Sequence, residues 1–144
     1  NRALYKALQA SGMHLQNYGT VFATIADKDK DEALPLIKRF YNLGFNIEAT
    51  EGTALYLKEN GIRTRMLRKI SEGSHEILDS IHQGHMAYVL NTKDIGSFGQ
   101  ESDGHKIRRS ATENNVTMLT SLDTVRVLLD VLEEMTLTIS TIDA

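Results

Sequence analysis

The sequence predicts an α/β fold, a doubly wound five-stranded parallel sheet sandwiched by helices. Three observations lead there. Residues 19–25 and 86–92 are apolar almost throughout, the composition of strands buried on both faces in a parallel sheet. Strand-like and helix-like periodicities alternate along the chain at the spacing of βαβ units. The two apolar runs end on polar residues, Thr24 in one and Asn91 and Thr92 in the other, and ligands of open α/β sheets are met outside the carboxyl ends of the strands.

Taken in order, residues 2–10 read as an amphipathic helix with Leu4, Ala7 and Leu8 on one face, stopped by Ser11 and Gly12. Residues 19–25 are the expected central strand. A charged turn over 26–32 leads into a helix through Leu34, Leu36, Ile37, Phe40 and Tyr41, with Pro35 expected in about the first turn. There its missing N–H matters little, whereas in a helix interior it costs about 3 kcal/mol. Phe45, Ile47 and Ala49 alternate with polar residues as in a strand, and a short helix follows from Thr50 until Asn60 and Gly61 end it. Residues 64–67 make a short strand, 69–73 a loop and 76–82 a helix. After the strand at 86–92, residues 93–104 carry glycines and no apolar period and read as a ligand-facing loop. A helix starting at 107, a strand at 116–119 and a helix at 121–134 complete the chain. Leu122, Val125, Leu128, Leu129 and Leu132 face inward in the last helix, which Thr120 and Ser121 cap.

The 144 residues suffice for one domain with a proper core, and the net charge of −3 argues against a nucleic-acid binder that relies on bulk electrostatics. Cysteine is absent, so thiol nucleophiles, disulfides and cysteine-based zinc sites are excluded. No apolar run of membrane-spanning length is present, and a cytoplasmic location is the expectation. The start at Asn1 suggests a piece of a longer polypeptide.

The stretch with most chemistry is the turn between the second strand and its helix. Thr50 falls at the helix start, where its hydroxyl either caps the first-turn amides or leaves them to a phosphate. Gly52 has no Cβ to bar a ligand from the backbone, and Thr53 stands on the same helical face as Thr50. Lys30 and Lys69, by composition alone, are solvated lysines.

Three segments in register carry a resemblance: Gly-Phe-Asn-Ile-Glu-Ala-Thr-Glu-Gly-Thr-Ala at 44–54, Val-Leu-Asn-Thr at 89–92 and Ile-Arg-Arg-Ser-Ala at 107–111. Together they resemble the regulatory domain that closes the large chain of carbamoyl-phosphate synthase, a domain of the methylglyoxal-synthase-like fold. The resemblance implies a helical tail of the preceding synthase region over 1–18 and the regulatory domain over 19–144. It implies no catalysis and no cofactor in this domain, with UMP bound as inhibitor and, in bacteria, IMP as activator. The parent enzyme would use ATP, with Mg or Mn and K, to make carbamoyl phosphate for pyrimidine and arginine synthesis. Its partners would be the glutaminase small chain and other heterodimers. The family's phosphate contacts fall on Lys30, Thr50, Thr53 and Lys69. Those to ribose, base or pocket wall fall on Thr24, Asn91, Thr92, Lys93, Arg108 and Arg109. Lys93 stands where the family commonly has a second threonine, so it either adds a phosphate contact or narrows the space for a base.

Two readings of other classes stand beside this one. A methylglyoxal-synthase-type lyase acting on dihydroxyacetone phosphate needs a carboxylate base beside the phosphate, for which Asp27, Asp94 and Asp103 are the loop candidates. A pure oligomerisation module needs no ligand. His82 and His85 cross a helix end and read as surface residues instead of metal ligands. Residues 96–99 lack the spacing of a dinucleotide fingerprint.

Overall fold

The structure, a computed structural model, describes residues 18–68, 76–92 and 103–143. The helix expected at 2–10, the loop at 69–73 and most of the loop at 93–104 lie outside the described residues, as do Lys69 and Lys93.

Five strands form one sheet: β1 (Thr20–Thr24), β2 (Asn46–Thr50), β3 (Thr64–Leu67), β4 (Met86–Asn91) and β5 (Thr117–Leu119). The helices are α1 (Lys30–Asn42), α2 (Glu51–Glu59), α3 (Glu76–His82), α4 (Asp103–Glu113) and α5 (Leu122–Asp143). The spatial order is β3-β2-β1-β4-β5 and every neighbouring pair is parallel, so the apolar run at 19–25 is indeed the middle strand. All five residues of β1 are buried, which its position between β2 and β4 requires.

Each side of the sheet has its own core. On one side α1, α2 and α5 cover Val21, Ala23, Ile47 and Ala49, with Phe40, Leu57, Leu128 and Leu129 packed inward. On the other, α3 and α4 cover Phe22, Leu67 and Val89 with Ile77, Ile81, Ile107 and Ala111. Phe40, Phe45 and Tyr88 meet in a triangle of rings whose centroids lie 5.3 to 6.0 Å apart. Truncating any of these side chains to alanine removes apolar burial and leaves a cavity, at a cost of about 2–5 kcal/mol. At the entry to β1, Gly19 has φ +116° and a Cβ there would stand 2.9 Å from the His85 carbonyl oxygen, so only glycine fits.

The structure corrects three local expectations. The polar alternation in β2 does not mark a solvent face: Glu48 and Thr50 are about as buried as Ile47 and Ala49, because a strand between β1 and β3 is covered on both sides. Within the charged run, Asp27–Asp29 form a 3-10 turn and α1 begins at Lys30, which puts Pro35 at the sixth helical position, beyond the first turn. α4 starts at Asp103 and α5 runs on to Asp143, both longer than the apolar period indicates.

Ion pairs fasten α5 to α1. Arg39 donates to Asp130 at 2.7 Å and to both carboxylate oxygens of Glu133, and the hydrogen bond to Glu133, which outweighs desolvation, holds the guanidinium's pKa above its ordinary value. Arg126 pairs with Glu32 and, at 2.6 Å, with Asp123. No described helix is long and apolar enough to cross a membrane.

Candidate functional site: the carboxyl edge between β1, β2 and β4

From β1 the chain winds outward through β2 to β3, then crosses back to β4 and winds outward to β5 on the other side. The winding therefore reverses between β1 and β4. No crossover connection fills the space above that point, which is why open α/β sheets bind ligands there.

Threonines converge on the end of β1 at this crevice. The Ile25 N–H donates to Thr53 Oγ1 at 3.1 Å and the Ala26 N–H to Thr92 Oγ1 at 2.9 Å. The Thr92 N–H reaches back to the Thr24 carbonyl at 3.2 Å. The hydroxyls of Thr50 and Thr24 face each other at a longer 3.4 Å. Asn91, the last residue of β4, is 1% exposed and lies opposite Thr24 in the sheet register. A threonine hydroxyl that accepts from a backbone amide still has its own proton to give, so Thr53 and Thr92 fix the loop and keep a donor each.

The turn into α2 does not use Thr50 as a side-chain cap. Thr50 occupies the N-cap position with extended backbone, but its side chain makes no capping hydrogen bond. The first-turn amides of α2 consequently have no side-chain cap, and the positive end of the helix dipole faces outward.

Lys30 comes to the same place from α1. A Cβ built on Gly52 would lie 3.7 Å from Lys30 Nζ, so the ammonium stands over the first turn of α2. Its side chain is only 19% exposed, and it donates to Asp27 Oδ1 at 2.5 Å, while the Asp27 side chain is 94% exposed. Gly52 thus leaves room for a lysine as well as for a ligand. An ammonium, uncapped helix amides and threonine O–H groups form a set of donors that suits a phosphate or another anion of that shape.

Of the residues proposed from sequence, the structure gathers Thr24, Lys30, Thr50, Thr53, Asn91 and Thr92 at this edge. Lys69 and Lys93 lie outside the described residues. Arg108 and Arg109 are exposed on α4, on the side of the sheet that α3 shares. Lys28, exposed two residues from Lys30, lines an adjoining polar hollow of about 290 Å³ with Thr92, Glu32 and Ser121. A larger groove of about 490 Å³ opens at the amino edge of the sheet beside Arg63, Arg65 and His85, away from every converging donor described above. Among the described residues no group of three or more histidine or carboxylate side chains stands close enough to hold a metal ion.

Sequence reading passed over several polar residues beside the site and elsewhere in the fold. Tyr56 Oη donates to Asp31 Oδ1 at 2.6 Å, and this hydrogen bond raises the phenol's pKa. Buried Glu48 accepts from Ser80 Oγ at 2.7 Å and from Arg65 at 3.4 Å. Single polar residues inside apolar strands and helices leave no periodic signal, and these had none.

Comparison with known proteins agrees with this fold. The MGS-like domain family matches residues 32–120. Among solved structures, a methylglyoxal synthase from Elizabethkingia anophelis NUHP1 is similar with a TM-score of 0.63 over 80% of this chain and 79% of that one, at 18% identity. At that identity the likeness speaks for the fold.

Proposed function

The chain belongs to the MGS-like domain family, and we infer that it is a nucleotide-binding regulatory domain whose ligand presents its phosphate to Lys30, Thr50, Thr53 and the first turn of α2. The observation that supports this most is the Lys30 ammonium over Gly52 at an uncapped helix start. Thr24, Asn91 and Thr92 line the adjoining crevice, where a ribose or base would lie; Lys69 is proposed as a further phosphate contact and Lys93 as part of the pocket wall. Following the motif resemblance, the ligand is UMP, with IMP as a second effector, and the parent is the carbamoyl-phosphate synthase large chain. In that parent, the glutaminase small chain and the sites for ATP, Mg or Mn and K lie outside this domain.

The similar solved structure is a methylglyoxal synthase. A lyase acting on dihydroxyacetone phosphate requires a carboxylate poised to take a proton beside the bound phosphate. Of the carboxylates near the described part of the site, Asp27 pairs with Lys30, Asp31 with Tyr56 and Glu32 with Arg126, while Asp94 lies outside the described residues. The pairing of these three supports binding over proton abstraction by them. Calorimetric titration with UMP and IMP, run beside an assay for methylglyoxal formation from dihydroxyacetone phosphate, tests both. Nucleotide heat without methylglyoxal is expected. Methylglyoxal production by the pure protein would overturn the regulatory reading.

A further inference from the structure

Lys30 is the first residue of α1, and a lysine there reaches a fixed point over α2 only if the first turn of its helix is fixed. Locally, the Asp27 carbonyl accepts from the Lys30 N–H and Asp27 Oδ1 from its ammonium, but the helix beyond is weakened. Pro35 has no N–H to give the Asp31 carbonyl, so one bond of the opening α-helical ladder is missing. The two residues after Lys30 are instead held from outside, each by a neighbouring helix. Asp31 accepts from the Tyr56 hydroxyl of α2 at 2.6 Å, and Glu32 is gripped by Arg126 of α5. Arg126 is braced in turn by Asp123 at 2.6 Å, in the first turn of its own helix.

The contact with α2 has a specific geometry. Gly52 and Tyr56 are four residues apart and share one face of that helix. Gly52 lies under the Lys30 ammonium and Tyr56 bonds the next residue, Asp31. Two successive turns of α2 thereby register against two successive residues of α1. The helix that supplies the first-turn amides also sets how far the ammonium stands from them.

We propose that Tyr56 and Arg126 are positioning residues that, through Asp31 and Glu32, hold the first turn of α1 so that the Lys30 ammonium stays over the start of α2. The proposal rests on the anion-binding reading above, and neither residue touches the ligand.

The experiment uses the whole chain labelled with ¹³C at lysine Cε, with the Lys30 resonance assigned by loss in Lys30→Arg. In Tyr56→Phe and in Arg126→Gln that resonance moves toward those of exposed lysines such as Lys38 and Lys58. Affinity for inorganic phosphate and for UMP falls roughly threefold to tenfold, the range expected for coupled contacting residues. Tyr56→Phe has no further effect on affinity when added to Lys30→Ala, a result that a general loss of stability would not give. The proposal is overturned if the Lys30 resonance stays in place in both variants, or if Tyr56→Phe weakens phosphate equally with and without Lys30. Should the unmodified protein bind neither phosphate nor UMP, the anion-binding reading falls, and the Lys30 resonance alone judges the positioning.

Discussion

Gly52→Ala separates fold from site with a single methyl group. Gly52 is exposed, in the first turn of α2, and is not among the glycines with positive φ, so alanine fits the backbone. The new Cβ would meet Lys30 Nζ at 3.7 Å, an ordinary contact, and no other heavy atom within 4 Å. Replacing glycine by alanine in a compatible helix position stabilises by roughly 0.4–1 kcal/mol, since it removes unfolded-state freedom. For a domain of this size that is a rise in Tm of about 1–3 °C. Binding should move the other way. An anion oxygen bonded to Lys30 Nζ sits about 2.8 Å from it, and one that also reaches the α2 amides must pass through the space the methyl group takes. Losing one charge-assisted contact of about 1.5–3 kcal/mol weakens the ligand by at least about tenfold. Melting curves and calorimetric titration with UMP on the same preparation read both effects. A variant that melts higher and binds UMP as tightly as the parent would refute the placement of the anion.

The other expectations are shorter. Lys30→Ala should weaken UMP and inorganic phosphate at least about tenfold, with less dependence on salt than in the unmodified protein, whereas Lys38→Ala, exposed on α1, should not; equal losses in titrations of the two variants would mean a diffuse field and no cradle. Asp27→Asn removes the carboxylate that competes for Lys30 and should tighten phosphate by about twofold to fivefold; if Asp27 is a lyase base, the same change abolishes methylglyoxal formation instead, and the two assays tell these apart. Thr53→Val leaves the buried Ile25 N–H without its acceptor and should cost about 1–3 kcal/mol by urea denaturation, with Thr53→Ser near the parent. The Tyr56 phenol has its pKa raised by Asp31, so its contribution to stability is full below the unfolded value near 10 and is lost as pH rises through the higher folded value; Tyr56→Phe should flatten that alkaline decline in melting temperature.

The fold was legible because its signals are periodic. The apolar runs in β1 and β4 announce a doubly covered sheet, and the inward leucines of α5 repeat at helical spacing. β2 was harder, since Glu48 and Thr50 look like the solvent half of an alternating strand, whereas the fold buries both and brings Ser80 of α3 and Arg65 of β3 to the carboxylate. The start of α1 was misplaced for another reason: a run of charges reads as a turn, yet Asp31 and Glu32 are helical and tied to side chains 25 and 94 positions away. Such long-range pairs follow from the topology, and no local window contains them. At the site, the turn at 50–53 and the polar strand ends stood out in sequence. The role of Thr53 and Thr92 as acceptors for the amides that follow β1 did not.

That dual role shapes what mutagenesis of the site will report. Thr53 and Thr92 use a lone pair on a backbone N–H and keep the O–H, so the loop that they fix is also the loop that fixes them. Their donors therefore point in a direction set before any ligand arrives, and less ordering is required on binding. The same coupling means that removing either hydroxyl loosens the end of β1 as well as removing a donor. Stability and affinity should fall together at these two threonines. At Gly52 and Lys30, which hold no buried amide, affinity changes without a matching loss of stability. A site in which all four positions behaved alike would be one where the ligand merely rewards folding; the separation between the two pairs is what an anion seated between α1 and α2 requires.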